Sequence, residues 1–143
     1  MAATGSITTR GTAVRAWVGD IEQATLDNRN FRTVLYTGTH LQLTVMRLAP
    51  GEDIGLEAHP HLDQFLRVER GRARLELGAT RDEVDETHDL EDDWAVIVPA
   101  GTWHNVVNTG DGELQLYSLY APPEHPDGTV HTTKADAEAA EHH

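Results

Sequence analysis

The sequence contains no cysteine among its 143 residues. Disulfide bonds, thiolate metal sites and cysteine nucleophiles are therefore excluded, and histidine and carboxylate side chains must carry any chemistry. The chain also lacks an apolar run of about 18 residues, the length that a membrane-spanning helix needs. Its first residues, MAATGSITTR, lack the apolar core of a secretory signal. We therefore expect a cytoplasmic protein that does not bind membranes.

Positive charge is also scarce. Lysine and arginine together number 11 against 24 aspartates and glutamates, which gives a formal net charge of −13. Nucleic acids and anionic membranes are bound by basic patches that neutralise phosphates, so we expect neither as a partner. Much of the acidic excess lies in residues 81–93 and in the C-terminal stretch KADAEAAE. We interpret these stretches as solvated surface that favours solubility.

The pattern of apolar residues predicts an all-β protein. Short stretches rich in β-formers recur with glycine, proline, asparagine and aspartate between them, which is typical of a sandwich or barrel. The predicted strands lie in residues 31–37, 41–48, 56–61, 64–70, 72–77, 94–99, 103–108 and 113–122. Short helical segments are expected within residues 20–30 and in KADAEAAE, near the two ends of the chain.

The length of the chain suits one compact domain. We expect residues 1–12 to form a flexible N-terminal segment and residues 13–122 to form the barrel domain. Residues 123–143 begin with a proline-rich stretch and are expected to form an extended acidic tail. His142 and His143, at its end, are left out of any site.

The stretch GEDIGLEAHPHLDQF holds three side chains that can bind a divalent metal ion: Glu57, His59 and His61. In an extended chain, side chains two residues apart point to the same face, so all three would lie together. Pro60 is compatible with an extended chain but can also begin a turn. The alternation alone therefore leaves open which pair would hold a metal.

A second stretch, DWAVIVPAGTWHNVVN, has a distinctive spacing. Pro99, Gly101, His104 and Asn108 occur at the offsets of the pattern G-x5-P-x-G-x2-H-x3-N, with Asp93 in place of the leading glycine. This pattern is the second motif of the cupins, which the sequence therefore resembles. The resemblance covers roughly residues 40–122 and implies a small single-domain cupin, a jelly-roll β-barrel with metal ligands inside the barrel.

The first cupin motif, G-x5-H-x-H-x3,4-E-x6-G, fits in one register with two substitutions. From Gly51 to Gly71 the family spacing places Glu57 at the first histidine, His59 at the second and Gln64 at the glutamate. The resemblance then implies the ligands Glu57, His59, Gln64 and His104, with His61 outside the site. The alternative is that His59 and His61 form the ligand pair, although that register does not keep the family spacing. We favour Glu57.

The flanking residues predict how the strand after the ligands is oriented. If Gln64 faces the barrel interior, Leu66 and Val68 do too and give the cavity an apolar floor, whereas Arg67 points away and forms a salt bridge or an interface. Gly51, Gly71 and Gly101 are expected at tight turns. Trp103 is expected to pack on the face opposite His104.

The expected chemistry follows from the ligand types. Two imidazole nitrogens, one carboxylate and one amide oxygen, without thiolate, suit Mn, Fe, Co, Ni or Zn as the divalent ion. The resemblance implies a metal-dependent enzyme of the dioxygenase, isomerase or lyase type that acts on a small polar organic or carbohydrate-derived molecule, with Glu57 able to serve also as a base. The alternative is a non-catalytic barrel that binds a small ligand. The resemblance also implies a homodimer.

Overall fold

The computed structural model describes residues 15–141. The predicted flexible segment 1–12 lies outside the described residues, as do His142 and His143. Within residues 15–141, two short helices and nine strands follow one another in the order α1 (Ile21–Asp27), β1 (Arg32–Thr37), β2 (Gln42–Leu48), β3 (Asp63–Arg70), β4 (Ala73–Gly78), β5 (Glu86–Leu90), β6 (Ala95–Val98), β7 (Trp103–Asn108), β8 (Leu114–Ala121), β9 (Val130–His131) and α2 (Lys134–Glu141). Neither helix is long and apolar enough to cross a membrane.

The strands form two antiparallel sheets. The larger sheet has the order β6-β3-β8-β2-β1-β9 and the smaller has the order β5-β4-β7. Neighbouring strands in the sheets are often distant in sequence, as expected for a jelly roll. The predicted all-β jelly-roll barrel with short helices near its ends is thus confirmed. The apolar core comprises residues from both sheets, including Met46, Leu66, Leu75, Val106 and Leu116.

Strand β3 has the predicted orientation. Gln64, Leu66 and Val68 are buried on its inner face. Arg67 lies on the outer face, where its guanidinium is 2.8 Å from a carboxylate oxygen of Asp93. This alternation directs Gln64 toward the same interior that holds the core.

The turn between β3 and β4 requires glycine at position 71. Gly71 has a φ of +112°, and a Cβ atom there would lie 2.8 Å from the carbonyl oxygen of Glu113. Side chains rarely adopt this backbone conformation, and the neighbouring atom is backbone that cannot swing away. The tight turn that the sequence predicted here therefore depends on the absence of a side chain.

The acidic stretch 81–93 is exposed, as predicted, but it also contains strand β5, which the sequence pattern did not indicate. In β5, only Leu90 is buried. Because this strand lies at the edge of the smaller sheet and has water on most of its surface, it has no alternation of apolar residues. Its backbone pairing with β4 is what makes it a strand.

The segment after residue 122 packs on the barrel. Strand β9 pairs with β1, where His131 lies opposite Arg32. Helix α2 is mostly exposed, but Ala137 is buried, and Lys134 forms an ion pair with Asp53. At the start of this helix the Thr133 hydroxyl accepts a hydrogen bond from the backbone N–H of Asp136 at 3.1 Å, and the Asp136 carboxylate accepts one from the backbone N–H of Thr133 at 3.2 Å, the reciprocal pattern of a capping box. The C-terminal segment is therefore packed against the barrel and extends its larger sheet by one strand.

Candidate metal centre

An extended segment and strand β7, which are distant in sequence, bring the candidate ligands together; the segment forms isolated bridges to β7 and not the strand predicted at 56–61. Residues 52–59 run antiparallel beside β7, and Glu57 and His104 exchange backbone hydrogen bonds of 2.9 and 3.0 Å. Gly101 donates a further backbone hydrogen bond of 2.9 Å to the carbonyl oxygen of His59. Side chains of such directly opposed residues lie next to each other on one face. The pairing therefore positions Glu57 beside His104.

An irregularity in this pairing contributes to the position of Glu57. Asp53 lies opposite Val107 and Glu57 lies opposite His104, so the 53–57 segment contains one residue more than its partner. Gly55, with a φ of +97°, lies within the irregular stretch, and its N–H donates to the Asn105 side chain at 3.1 Å. An extra residue of this kind re-aims the following side chains, as a β-bulge does.

The chain turns at Pro60 and His61, immediately after His59. His61 is exposed, whereas His59 is buried. The turn ends the extended run on which the alternation of Glu57, His59 and His61 depended. His61 consequently lies apart from the group that Glu57 forms with the other two histidines.

Glu57, His59 and His104 converge with ligand atoms that all lie within 4.8 Å of one another. The Glu57 Oε2 atom is 3.6 Å from His59 Nε2 and 3.8 Å from His104 Nε2. Ligand atoms that share a divalent ion at ordinary bond lengths are about 3.0–3.4 Å apart. Small side-chain movements are enough to close that difference, so the triad is positioned for metal binding.

His104 presents a ring nitrogen suited to coordinate an ion. Its side chain is buried, and its Nδ1 atom is 3.0 Å from the carbonyl oxygen of Thr102. Since that oxygen can only accept, Nδ1 carries the proton and Nε2 keeps its electron pair. His104 Nε2 is buried and has no hydrogen-bond partner among residues 15–141. A metal ion would satisfy this atom.

His59 resembles His104 in that its Nδ1 atom lies near an oxygen and its Nε2 atom does not have a partner among the described residues, but the oxygen belongs to a carboxylate. Its Nδ1 atom is 3.6 Å from a carboxylate oxygen of Glu124, and its buried Nε2 atom has no hydrogen-bond partner in the described part of the chain. Metal-binding histidines commonly direct their second nitrogen toward a carboxylate, which fixes the tautomer and the ring orientation. Glu124 is suitably placed for that role.

Gln64 presents an amide oxygen toward the interior. Its amide nitrogen donates to the Ser118 hydroxyl at 3.3 Å, which leaves Oε1 buried and without a partner among the described residues. Gln64 lies opposite Tyr120 in the sheet, and the Tyr120 ring centroid is 5.9 Å from that of His59. The Glu57 carboxylate and the buried Nε2 atoms of His59 and His104, which lack partners among the described residues, thus fit a divalent ion.

The charges in the triad are coupled. Burial alone would raise the pKa of Glu57, but the adjacent His59, together with His104 and Arg32, lowers it below its ordinary value. Burial alone would lower the pKa of His59, but the carboxylates of Glu57 and Glu124 raise it. The pKa of His104 is lowered, mainly by burial. Glu57 is therefore anionic at neutral pH and His104 is a neutral ligand.

A cavity of about 320 Å³ opens beside Glu57. It is lined by Arg32, Glu57, Glu124, Pro126, Thr129, Ala140, Glu141 and the two histidines His125 and His131. Most of these residues come from the C-terminal segment, which the sequence predicted to be a tail. The cavity thus adjoins the candidate metal centre at Glu57.

His125 is held in the cavity wall by Gln42. The Gln42 amide nitrogen donates to the carbonyl oxygen of His125 at 2.7 Å, and its amide oxygen accepts from the N–H groups of Glu124 and His125 at 3.1 and 2.9 Å. Burial, with a smaller contribution from Arg32, lowers the pKa of His125 to about 3, so its imidazole is neutral. Its Nε2 atom has no hydrogen-bond partner within residues 15–141.

Sequence reasoning missed Arg32, Glu124 and His125. Arg32 is the first residue of strand β1, where threonines and apolar residues follow it, which is a weak signal of an inward charge. Glu124 and His125 lie in a proline-rich segment with no periodicity, and nothing in their spacing indicates the cavity.

Comparisons with known proteins agree with this architecture. The model of the Cupin_2 family, described as "Cupin domain", matches residues 44–120. The Bacillus subtilis (strain 168) "Uncharacterized protein YrkC" is 57% identical over 127 residues, which are 89% of this chain and 68% of that protein. "Uncharacterized protein L612" of Acanthamoeba polyphaga mimivirus is 38% identical over 117 residues, which are 81% of this chain and 71% of that protein.

A solved structure is also similar to this chain. The crystal structure of BH2720 from Bacillus halodurans is 56% identical in sequence and superimposes with a TM-score of 0.86. The match covers 90% of this chain and 97% of that one.

Proposed function

Because this chain belongs to the cupin family, we propose that it is a metal-dependent enzyme acting on a small polar organic or carbohydrate-derived molecule, of the dioxygenase, isomerase or lyase type. Glu57, His59, Gln64 and His104 are the proposed ligands. The proposal is supported above all by one observation: a carboxylate oxygen and two imidazole Nε2 atoms converge in the interior, and both Nε2 atoms are buried without a hydrogen-bond partner among the described residues.

The ligand types indicate which ions the site would hold. Two nitrogens and two oxygens suit Mn, Fe, Co, Ni or Zn. With one carboxylate among the ligands, a divalent ion keeps a net charge of about +1. When bound, such an ion supplies Lewis acidity, and if it is iron it can also bind dioxygen.

The residues of this chain would orient the substrate and move protons. Glu57 lines both the metal position and the cavity, so its carboxylate is placed to accept a proton from a molecule in the cavity. Glu124 and His125 add a second carboxylate and a neutral imidazole to the same wall. Groups of this kind beyond the metal ligands are what an enzyme needs and a simple binding barrel does not.

The alternative is a non-catalytic barrel that binds a small ligand through the same metal. One fold supports both roles, so the fold does not separate them. The acid/base groups in the cavity wall favour the enzyme. Turnover is the property that distinguishes the two hypotheses.

Elemental analysis of untagged protein tests the metal site. We expect about one divalent ion per chain, lost in His104→Ala and retained in Arg70→Met, a change at an exposed residue. Absence of metal from the wild-type protein after incubation with each of the five candidate ions would contradict the proposal. Oxygen-consumption, isomerase and lyase assays on the metal-loaded protein then separate an enzyme from a binding barrel.

A further inference from the structure

Arg32 is a buried cation that lines the cavity. It lies on β1, opposite the core residue Met46, and is 3% exposed. Removing a charged group from water is strongly unfavourable unless it gains an ionic or hydrogen-bonded partner. The partners of its guanidinium group therefore indicate what the group is for.

The guanidinium of Arg32 has few partners. Its NH1 group lies 3.3 Å from His131 Nδ1, and its buried Nε has no hydrogen-bond partner within residues 15–141. No carboxylate oxygen of the described residues lies within 4.0 Å of it. A guanidinium has five N–H donors in a planar fork, and the described residues give this one a single hydrogen-bond partner and the Phe31 ring, whose centroid is 5.4 Å from the guanidinium carbon.

The rest of the structure holds this group at the cavity. His131, on β9, lies opposite Arg32 in the sheet, and its imidazole contacts the guanidinium. Arg32 and Glu57 line the same cavity, and Arg32 contributes to lowering the pKa of Glu57. The positive charge is therefore close enough to the candidate metal centre to act on a single small ligand.

We propose that Arg32 binds a carboxylate group of a small anionic ligand that also reaches the metal position formed by Glu57, His59 and His104. This inference rests on the proposed function and names the substrate class: a small organic acid or sugar acid. A planar guanidinium fork matches a carboxylate in a bidentate pair. The cavity of about 320 Å³ has room for such a molecule.

The charge balance favours a carboxylate over a phosphate. A divalent ion and Arg32 supply positive charge that Glu57 and Glu124 only partly offset. Each of the two cationic positions, Arg32 and the ion, can pair with one singly charged carboxylate group of a small acid. Glu57, Glu124 and Glu141 also line the cavity, and they would repel a phosphate dianion more strongly than a carboxylate.

Calorimetric titrations with simple probes test this inference. Malonate, succinate and glutarate are each compared with the corresponding diamide, and inorganic phosphate is titrated separately, into metal-loaded and metal-free protein. We expect at least one diacid to bind metal-loaded wild-type protein at least tenfold more tightly than its diamide and than phosphate. Arg32→Met should lower that affinity at least tenfold at unchanged metal content, Arg32→Lys should lower it less, and the exposed control Arg70→Met should leave it unchanged.

A thermal melt of the metal-free variants separates binding from a structural role. Since Arg32 is a buried cation with few partners, we expect Arg32→Met to keep or raise the unfolding midpoint, as removal of a poorly compensated buried charge does. Diacid binding that is unaffected in Arg32→Met, tighter binding of phosphate, or no diacid binding to metal-loaded protein would overturn the inference. Failure of the wild-type protein to take up metal would overturn the proposed function instead, and Arg32-dependent binding of a diacid to the metal-free protein would still identify Arg32 as a carboxylate-binding residue.

Discussion

Glu57 and His104 are backbone partners: each donates its N–H to the carbonyl oxygen of the other, at 3.0 and 2.9 Å. The two residues belong to separate motifs, and this pairing brings their side chains to one face. Glu57 Oε2 thereby approaches the Nε2 atoms of both His104 and His59. After His59 the chain turns, so His61 lies apart from these three side chains.

This geometry predicts a clear order of effects on metal content. His59→Ala or His104→Ala should empty the site, and Glu57→Ala should lower the affinity roughly tenfold or more, because it removes the only anionic ligand. His61→Ala, a matched change at an exposed histidine, should leave metal content unchanged. Elemental analysis and competition titrations measure these effects. Dependence on His61 with indifference to Glu57 would show that the two histidines of His59-Pro60-His61 are the ligands.

Glu124 should support the metal centre through His59. Glu124→Gln keeps the size of the side chain but removes the charge beside His59 Nδ1, so we expect metal affinity to fall about tenfold. Glu91→Gln, a change at an exposed glutamate outside the cavity, is the matched control. Equal affinities for the two variants would argue against this supporting role.

Metal affinity should depend on pH through His59. The pKa of His59 is raised above its ordinary value of 6.5, by the carboxylates of Glu57 and Glu124 that outweigh burial, so its proton competes with the metal at higher pH than an ordinary histidine proton would. The lowered pKa values of Glu57 and His104 make these groups protonate only at lower pH. We therefore expect constant affinity above the pKa of His59 and a roughly tenfold loss per pH unit below it.

The raised pKa of His59 weakens metal binding at low pH, but in the metal-free protein it stabilises the fold there. A raised pKa stabilises the fold below the pKa of the unfolded chain, and this contribution disappears as the pH rises through the folded value. For metal binding, calorimetry in buffers of different ionisation enthalpy measures the proton that His59 releases when the ion binds. Affinity that is flat between pH 5 and pH 8, without proton release, would contradict this account.

Gly71→Ala should destabilise the fold by about 2 kcal/mol or more, because it combines a positive φ with a clash against backbone. Gly51 also has a positive φ, of +82°, but a Cβ there would meet nothing within 4 Å. Gly51→Ala should therefore cost about 1 kcal/mol, from backbone strain alone. Chemical denaturation compares the two. A cost for Gly51→Ala equal to that of Gly71→Ala would show that the close approach to Glu113 contributes nothing.

The predicted homodimer can be tested at the exposed edge of the larger sheet. Strand β6 lies at that edge, and Ile97 and the preceding Trp94 are 71% and 50% exposed. We expect sedimentation at micromolar concentration to give twice the chain mass of 15.8 kDa. Ile97→Lys should shift the protein toward monomer, and Val130→Lys, on the edge strand β9, serves as the control. A single species of the chain mass at this concentration would rule out the dimer.

Much of the architecture could be predicted from local sequence. The alternation of Gln64, Leu66 and Val68 indicated the inner face of β3, and Gly71 marked a turn that the structure places there. These predictions succeeded because burial in a sheet imposes a period of two on the chain, and tight turns restrict residue type. Strand β5 was missed because an edge strand in water imposes no such period.

The sequence by itself determined the barrel and, through the spacing of its two motifs, the expectation that Glu57, His59 and His104 belong together. Only the tertiary structure showed that Glu57 lies opposite His104 and that the chain turns outward at His61. Tertiary packing also decided that Arg32 and Glu124 line one cavity. These two residues come from opposite ends of the barrel sequence, and their proximity depends on strand pairing and on the path of the C-terminal segment, which leave no periodic signal in the residues themselves.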